Sequence, residues 1–265
     1  HLIWFDNGQL MSKYNNNKNG GLDGLNETWS RKGVLVIKCT YKNDKLNGLY
    51  ETWYKNGNRG SKEMYLNGKL HGLCEKWYEN GDDKSKIEYV EGMRHGIYEA
   101  WGKNGFYSKS EYKNGLLNGL SENYSCYGGK KRLHFRYTYK NGKLNGLNEW
   151  FHHNGQLAHK CTLINGKIEG ISETWYENGQ LSERNTYVND KRNGPRQRWY
   201  ENGQLTGIIT YVNDKKNGIC QKWYKNGQLA EKCNYLNDEY IGLREEWLEN
   251  GQLKLTRTGN KRSYQ

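Results

Sequence analysis

The chain has 265 residues, a formal net charge of +12 and only 34% hydrophobic residues, with a mean hydropathy of −1.13. So polar a chain excludes a large apolar core, while an aromatic content of 14% excludes ordinary disorder. The basic charge favours acidic partners such as phospholipid, nucleic acid or acidic protein without choosing among them.

Ten tryptophans and one tyrosine set the order of the chain. Trp4 opens it, and Trp29, Trp53, Trp77, Trp101, Tyr124, Trp150, Trp175, Trp199, Trp223 and Trp247 follow, with six of the ten steps equal to 24 residues. Such a period marks a repeat architecture of about eleven units of about 24 residues. After most of these tryptophans comes a turn such as Tyr54-Lys55-Asn56-Gly57 or Tyr176-Glu177-Asn178-Gly179. Asn-Gly supplies the two positive-φ residues of a type I′ turn, so each copy predicts a two-residue β-hairpin. Five residues before most tryptophans stands a glycine (Gly48, Gly72, Gly170, Gly194), and just upstream lies a second turn, as at Asn67-Gly68 or Asn189-Asp190. Each unit is therefore strand, turn, strand, turn, an antiparallel meander.

The register can be tested on charges. A two-residue loop at Asn56-Gly57 sets Glu51 opposite Lys62, and the same rule sets Glu27 opposite Lys38, Glu75 opposite Lys86, Glu149 opposite Lys160 and Glu173 opposite Arg184. Gln197 falls opposite Ile208, so both charges vanish together, whereas Gln221 opposite Lys232, Glu245 opposite Thr256 and Glu99 opposite Ser110 depart from the rule. Period-two alternation then puts Trp, Glu, the paired Lys and the Leu or Ile after glycine (Leu49, Leu73, Leu147, Ile171) on one face. The other face receives Tyr54, Tyr78, Tyr176, Tyr200 and Tyr224, the tyrosines around Tyr65 and Tyr187, and Leu157, Leu181, Leu205 and Leu229. Aromatics stacked from unit to unit are expected to replace a conventional core.

The repeat array is expected over residues 1–255, with an irregular unit near 106–140 and a basic tail over 256–265. In the irregular unit the stretch between Gly105 and Tyr112 is one residue short, and the next stretch is two long and carries Tyr124 in place of Trp. It reads as a bulge or kink, with a specialised bending or recognition point as the sharper alternative. The six cysteines form no C-x-x-C and no regular pairing, and they read as free, small hydrophobes of a reducing compartment.

Asn67-Gly68-Lys69-Leu70-His71-Gly72-Leu73 followed by Trp77-Tyr78-Glu79-Asn80-Gly81 resembles the MORN repeat in its longer variant, found in bacterial antitoxin-like proteins and in large DNA viruses. The resemblance covers essentially the whole chain. It implies an all-β, elongated, single-layer ribbon of antiparallel hairpins, and it implies scaffolding, protein contact or membrane-proximal assembly. His-Gly stands only at His71-Gly72 and His95-Gly96, with Asn-Gly at most other units.

Chemistry is sparse. His152, His153 and His159 are the one histidine cluster, without a matching Cys or carboxylate set, and the Glu column repeats in every unit with mostly basic partners. No Ser-His-Asp, Walker or Rossmann pattern stands in a fitting context, so neither catalysis nor a cofactor is expected. The charge layout says more. Lys45, Lys69, Arg94, Lys143, Lys167, Lys191, Arg192, Lys215 and Lys216 follow the second turn type, and they form a candidate anion-binding edge. Lysines at turns also solubilise a sheet and guard its edges, which is the plainer reading. The expected function is a non-enzymatic scaffold that binds proteins or copies of itself. The alternatives are a peripheral adaptor for anionic membrane or another polyanion, and a toxin-neutralising protein on the strength of the family resemblance. Nucleic acid fits less well, because the aromatics are needed for packing between units. No apolar run is long enough to span a bilayer and no signal peptide is present, while the start at His1 leaves an upstream segment open. The expected location is cytoplasmic or virion-associated. The Asn-, Lys- and Tyr-rich composition points to an AT-rich genome, viral or low-GC bacterial.

Overall fold

A computed structural model describes residues 1–127 and 130–258, in two compact units, His1–Lys131 and Arg132–Gln265. The described residues are all β, with 25 strands and every pairing antiparallel. Within the first unit the strands pair in chain order from Leu2–Trp4 to Leu116–Tyr127. Within the second they do so from Lys130–Lys140 to Leu253–Thr258. Each unit is thus an open hairpin meander of 24-residue steps. The expected tail starts later than residue 256, because Thr256 and Thr258 pair with Glu245 and Leu243; residues 259–265 lie outside the described residues.

The two turn types differ in a way the Asn-Gly pairs conceal. The turns upstream of the glycine column are two-residue and type I′: φ is 50° and 81° at Asn67-Gly68, and 50° and 68° at Asn189-Asp190. At the Trp-side turns the expectation is corrected. Gly57 has φ 87°, whereas Asn56 does not enter the positive-φ region. Tyr54 N donates to Asn58 O at 2.8 Å and Gly57 N to Tyr54 O at 3.0 Å. This is a three-residue loop, a type I turn closed by a left-handed glycine. Alone it would slip the register by one, but the next pairs are Trp53 with Arg59 and Thr52 with Ser61, so Gly60 is bulged out. The bulge restores the residue that the longer loop removed, and Glu51 meets Lys62 after all.

The other expected pairs hold as well: Glu27 faces Lys38, Glu75 faces Lys86, Glu149 faces Lys160 and Glu173 faces Arg184. In the short hairpin the missing residue is the bulge itself. Trp101 lies opposite Tyr107, and Glu99 opposite Lys109 rather than Ser110, so an opposite-charge pair is gained where none was expected. The bulge also corrects the face of the leucines. Leu181, Leu205 and Leu229 lie directly opposite Trp175, Trp199 and Trp223, hence on the Trp face.

A second irregularity sits at the glycine column. Lys62 pairs with Glu75 and Tyr65 with Leu70, so two residues face four. Gly72 turns through this double bulge at φ 92°, and Gly194 through its counterpart at φ 125°, where an added Cβ would stand 3.1 Å from Thr186. Only glycine takes that conformation without strain.

Burial corrects the expected aromatic core. The column tryptophans Trp29, Trp53, Trp77, Trp101, Trp175, Trp199, Trp223 and Trp247, and Tyr124, are half-buried. Trp150, expected in the same column, follows Glu149 directly and pairs with His159, so it lies on the opposite face, and Phe151, opposite Leu157, takes the column position. The most buried side chains are mostly small ones on the opposite face: Cys39, Cys74, Cys161, Cys220 and Cys233, with Ser61, Ser172 and Asn148. Cys220 lies directly opposite Cys233, a neighbouring pair that sequence spacing did not suggest. Both thiols are free, and burial first, then the charge of Cys220, pushes the Cys233 thiol up to about 12.

Candidate functional site

Within each compact unit, successive repeats are stitched together along both edges at several steps. On the Trp side, the tyrosine after each Trp donates its hydroxyl to the Trp carbonyl of the following unit: Tyr54 to Trp77 at 2.9 Å, Tyr176 to Trp199 at 2.8 Å and Tyr224 to Trp247 at 2.8 Å. Asn56, Asn178 and Asn226 reach the carbonyls of Glu79, Glu201 and Glu249 at 2.8–2.9 Å. Their Oδ1 atoms accept from the backbone two residues on, at Asn58, Gln180 and Gln228. The asparagine is there for its side chain, which bridges the turn and the next unit. On the type I′ edge the second turn residue donates its N–H to the previous unit, as Gly68 to Leu46 at 2.7 Å and Asp238 to Lys216 at 2.9 Å. Where that residue is Asp, its carboxylate also accepts: from Leu22 N at Asp44, Ile168 N at Asp190, Arg192 N at Asp214 and Lys216 N at Asp238.

The basic edge is therefore less uniform than the sequence suggests. Lys45, Lys69, Arg94, Lys143, Lys167, Lys191 and Lys215 are exposed, but Asp44, Asp190, Asp214 and Asp238 are interleaved with them. Arg192 lies 3.1 Å from Asp214 and over the Tyr211 ring at 4.1 Å, and Lys216 lies over Tyr235 at 5.0 Å. Arg94 donates to the Tyr112 hydroxyl at 3.2 Å and covers the Tyr98 and Tyr112 rings. These three cations are spent on packing. The hydrogen bond from the Arg192 backbone, then its guanidinium, holds the Asp214 carboxyl below its ordinary value.

The Trp face carries the more distinctive feature. Leu73, Ile97 and Leu120 in the first unit, and Leu147, Ile171, Ile219 and Leu243 in the second, stand at one repeat position and are 42–56% exposed. Beside them the residue before six of the type I′ turns is another exposed aliphatic, Leu66, Val90, Ile164, Val188, Val212 or Leu236, while Lys42, Lys113 and Lys140 hold that place in the others. Four of these lie directly opposite a lysine: Leu66 and Lys69, Ile164 and Lys167, Val188 and Lys191, Val212 and Lys215. The strip thus alternates aliphatic side chains with lysines along the type I′ edge. Farther across the same face runs the acid–base ladder. Glu173 accepts from Lys160 at 2.8 Å and Arg184 at 2.7 Å and Glu149 from Arg136 at 3.1 Å, while Arg59 lies 3.0 Å from Glu51 as an ion pair. Burial alone would raise the Glu173 carboxyl, but the hydrogen bonds and charges of Lys160 and Arg184 hold it below the ordinary glutamate range. The ladder cations also reach the next tryptophan: Lys160 over Trp175 at 5.3 Å and Arg184 over Trp199 at 5.9 Å.

The histidines do not form a centre. His152 bonds the Trp175 carbonyl at 2.9 Å, taking the place of the tyrosine latch, His159 bonds Thr174 Oγ1 at 3.0 Å, and the His153 ring meets His134. At the irregular unit Lys131 Nζ lies 3.4 Å from the Tyr107 centroid and 4.3 Å from that of Tyr124, so a tyrosine pair and a lysine occupy the Trp column there. Open grooves are shallow. One of about 760 Å³ runs past Tyr78, Glu79, Asp82, Asp83 and Lys103 on the Trp-side edge.

A family model described as a MORN repeat variant matches residues 70–91, 144–165, 168–189, 192–213 and 216–237. The chain is a MORN-repeat protein. Each matched MORN segment starts on the strand after a type I′ turn and ends within the next such turn, so the match follows the 24-residue step. MORN repeats commonly serve as scaffolds for protein or membrane interaction. No curated protein sequence matches the chain. The solved structure titled Crystal Structure of TcdB2-TccC3 is similar at 12% identity and a TM-score of 0.18, over 98% of this chain and 18% of that one. Crystal Structure of TcdB2-TccC3-Cdc42 is similar at 9% identity and a TM-score of 0.17, over 97% of this chain and 16% of that one. The MORN chain thus spans less than a fifth of either. Among the described residues no helix is long and apolar enough to cross a membrane.

Proposed function

We propose that this MORN-repeat chain is a non-enzymatic scaffold that binds partner proteins along the aliphatic strip of its Trp face. The observation that carries the reading is the exposure of Ile171, Ile219 and Leu243 at one repeat position in the second unit, on a face that no second layer covers among the described residues. Exposed apolar columns are costly to keep in water, and their recurrence marks a contact surface. The flanking acid–base ladder supplies orientation rather than affinity. Affinity purification from the native source at two salt concentrations, with wild type and an Ile171→Lys/Ile219→Lys/Leu243→Lys variant, tests it. Partners held by wild type at both salts and lost from the variant are expected. The same partners on both proteins overturn the reading.

The direct pairing of Ile164, Val188 and Val212 with Lys167, Lys191 and Lys215 favours a second reading, docking on an anionic lipid surface. Flotation with phosphatidylserine vesicles, comparing wild type with Lys167→Glu/Lys191→Glu/Lys215→Glu, decides it. Unchanged flotation, or none with wild type, removes that reading.

A further inference from the structure

On the face opposite the aliphatic strip, one row of side chains crosses five strands of the second unit. In order the row is Glu183, Arg198, Gly207, Lys222 and Glu231, each the direct partner of the next. Residues 183, 207 and 231 are 24 apart and hold the same repeat position. At both outer positions the residue is an acid clasped by cations. Glu183 accepts from Arg196 at 3.0 and 3.2 Å and from Arg198 at 3.0 Å. Glu231 accepts from Lys222 at 2.6 Å, and the Arg244 guanidinium forms an ion pair with it at 3.1 Å. By that pattern a residue at 207 should be an acid set between Arg198 and Lys222. The cations are kept and the acid is glycine.

The consequence is a concavity of about 250 Å³ around Gly207, lined by four cationic side chains, Arg196, Arg198, Lys216 and Lys222, with no carboxylate among its lining. Gly207 is an ordinary extended residue without a positive φ, and an added Cβ would meet nothing closer than the Gln221 carbonyl at 3.4 Å. Neither backbone strain nor crowding demands glycine here. Glycine inside a strand otherwise weakens it, and it often marks a place where another group approaches closely.

We propose that the Gly207 concavity is a carboxylate-binding site, in which a carboxylate from outside the chain takes the place that Glu183 and Glu231 fill in their own units. Arg198 and Lys222 flank the gap about 10 Å apart, two strand spacings, so a carboxylate between them accepts from both. Arg198 offers the guanidinium donors not used on Glu183, and Lys222 the ammonium donors not used on Glu231. The carboxylate belongs either to a free small acid or to an acidic side chain of a bound partner. Because the site lies on the face opposite the strip, it stands or falls independently of the proposed scaffold function.

The test is a side-chain NMR titration of the full chain, following the arginine Nε–H signals, with glutarate, a capped Glu-containing tripeptide and inorganic phosphate at constant ionic strength. Saturable shifts at Arg196 and Arg198 with a carboxylate are expected, and they should vanish in Gly207→Glu, whose own side chain fills the gap and raises Tm by about 2 °C. Shifts with glutarate assign the site to free acids, and shifts with the peptide alone assign it to a partner's side chain. Should Gly207→Glu fail to fold, Arg198→Gln reports instead, with an affinity loss of at least about fivefold expected for the loss of one charged partner. The proposal is overturned by absence of saturable shifts with either carboxylate, by shifts that persist in Gly207→Glu, by unchanged affinity in Arg198→Gln, or by phosphate binding while carboxylates stay inert.

Discussion

Replacing Glu173 by Gln should be the most costly single change in the acid–base ladder. The Glu173 side chain is 9% exposed and sits between two cations, with Lys160 Nζ at 2.8 Å and Arg184 Nη2 at 2.7 Å. A hydrogen bond to a charged group contributes about 1.5–3 kcal/mol when buried, and an exposed pair about 0.2–1 kcal/mol. Both cations are about 40% exposed, so each contact belongs between those ranges, near 1 kcal/mol, and the pair near about 2 kcal/mol. Glu27 is the control, with Lys38 as its cation at 3.5 Å, and Glu27→Gln should cost about 0.5 kcal/mol. Urea unfolding followed by tryptophan fluorescence measures both, read as midpoints because repeat arrays depart from two-state behaviour. The pH dependence gives a second check. The folded Glu173 carboxyl lies below its ordinary value, so its contribution is present above the unfolded glutamate value and lost as pH falls through the folded one. The difference between wild type and Glu173→Gln should therefore shrink once the pH drops below the ordinary glutamate range. Equal costs for Glu173→Gln and Glu27→Gln at neutral pH, or a difference that persists in acid, would refute the reasoning.

Asn56→Ala should cost about 1.5 kcal/mol, because it removes the bond to the Glu79 carbonyl and leaves Asn58 N without its acceptor. Asn202→Ala should cost about half of that, since Asn202 Nδ2 reaches only Gln204 within its own turn, at 3.5 Å; urea midpoints of the two variants compare them. Tyr224→Phe removes the hydroxyl bond to the Trp247 carbonyl and should cost about 1 kcal/mol, with faster amide exchange concentrated in the strand Leu253–Thr258 and its partner. Cys233 should resist iodoacetamide at pH 8 in the native chain and react once urea opens the fold, because its buried thiol titrates near 12; mass spectrometry of labelled peptides reads this out.

Much of this was legible from the period. Spacing by 24 residues and opposite charges across each hairpin are local facts, and they gave Glu51 opposite Lys62 and Glu173 opposite Arg184. The two-residue turn expected at Asn56-Gly57 gives the same pairs as the observed one, because the three-residue loop and the bulge at Gly60 compensate and no charge pair beyond the bulge senses the difference. Leu181 does sense it, since it lies before the bulge is complete, and it faces Trp175 for that reason. In the short hairpin the compensation is absent and the error became visible, as Glu99 opposite Lys109. Aromatic content suggests an aromatic core, and the burial differs from that. Tryptophans at the rim of an open sheet are covered from one side only, whereas Cys161 and Asn148 lie where neighbouring strands crowd both sides. The nine-residue basic edge is visible as composition, but the pairing of Arg192 with Asp214 and the stacking of Lys216 on Tyr235 depend on neighbours 22 and 19 residues away. The gap at Gly207 needed no structure to be noticed, since Glu183 and Glu231 stand one period to either side. Its meaning did, because only the row of direct partners shows which cations were left behind.

The measurement that bears most directly on the scaffold account is carbene footprinting of the second unit, on the free chain and on the complex recovered from the native source. The account predicts that Ile171, Ile219 and Leu243 label strongly when free and are protected together in the complex, while side chains of the opposite face keep their labelling. Protection confined to the opposite face, or no change at these three positions in a stable complex, would contradict it.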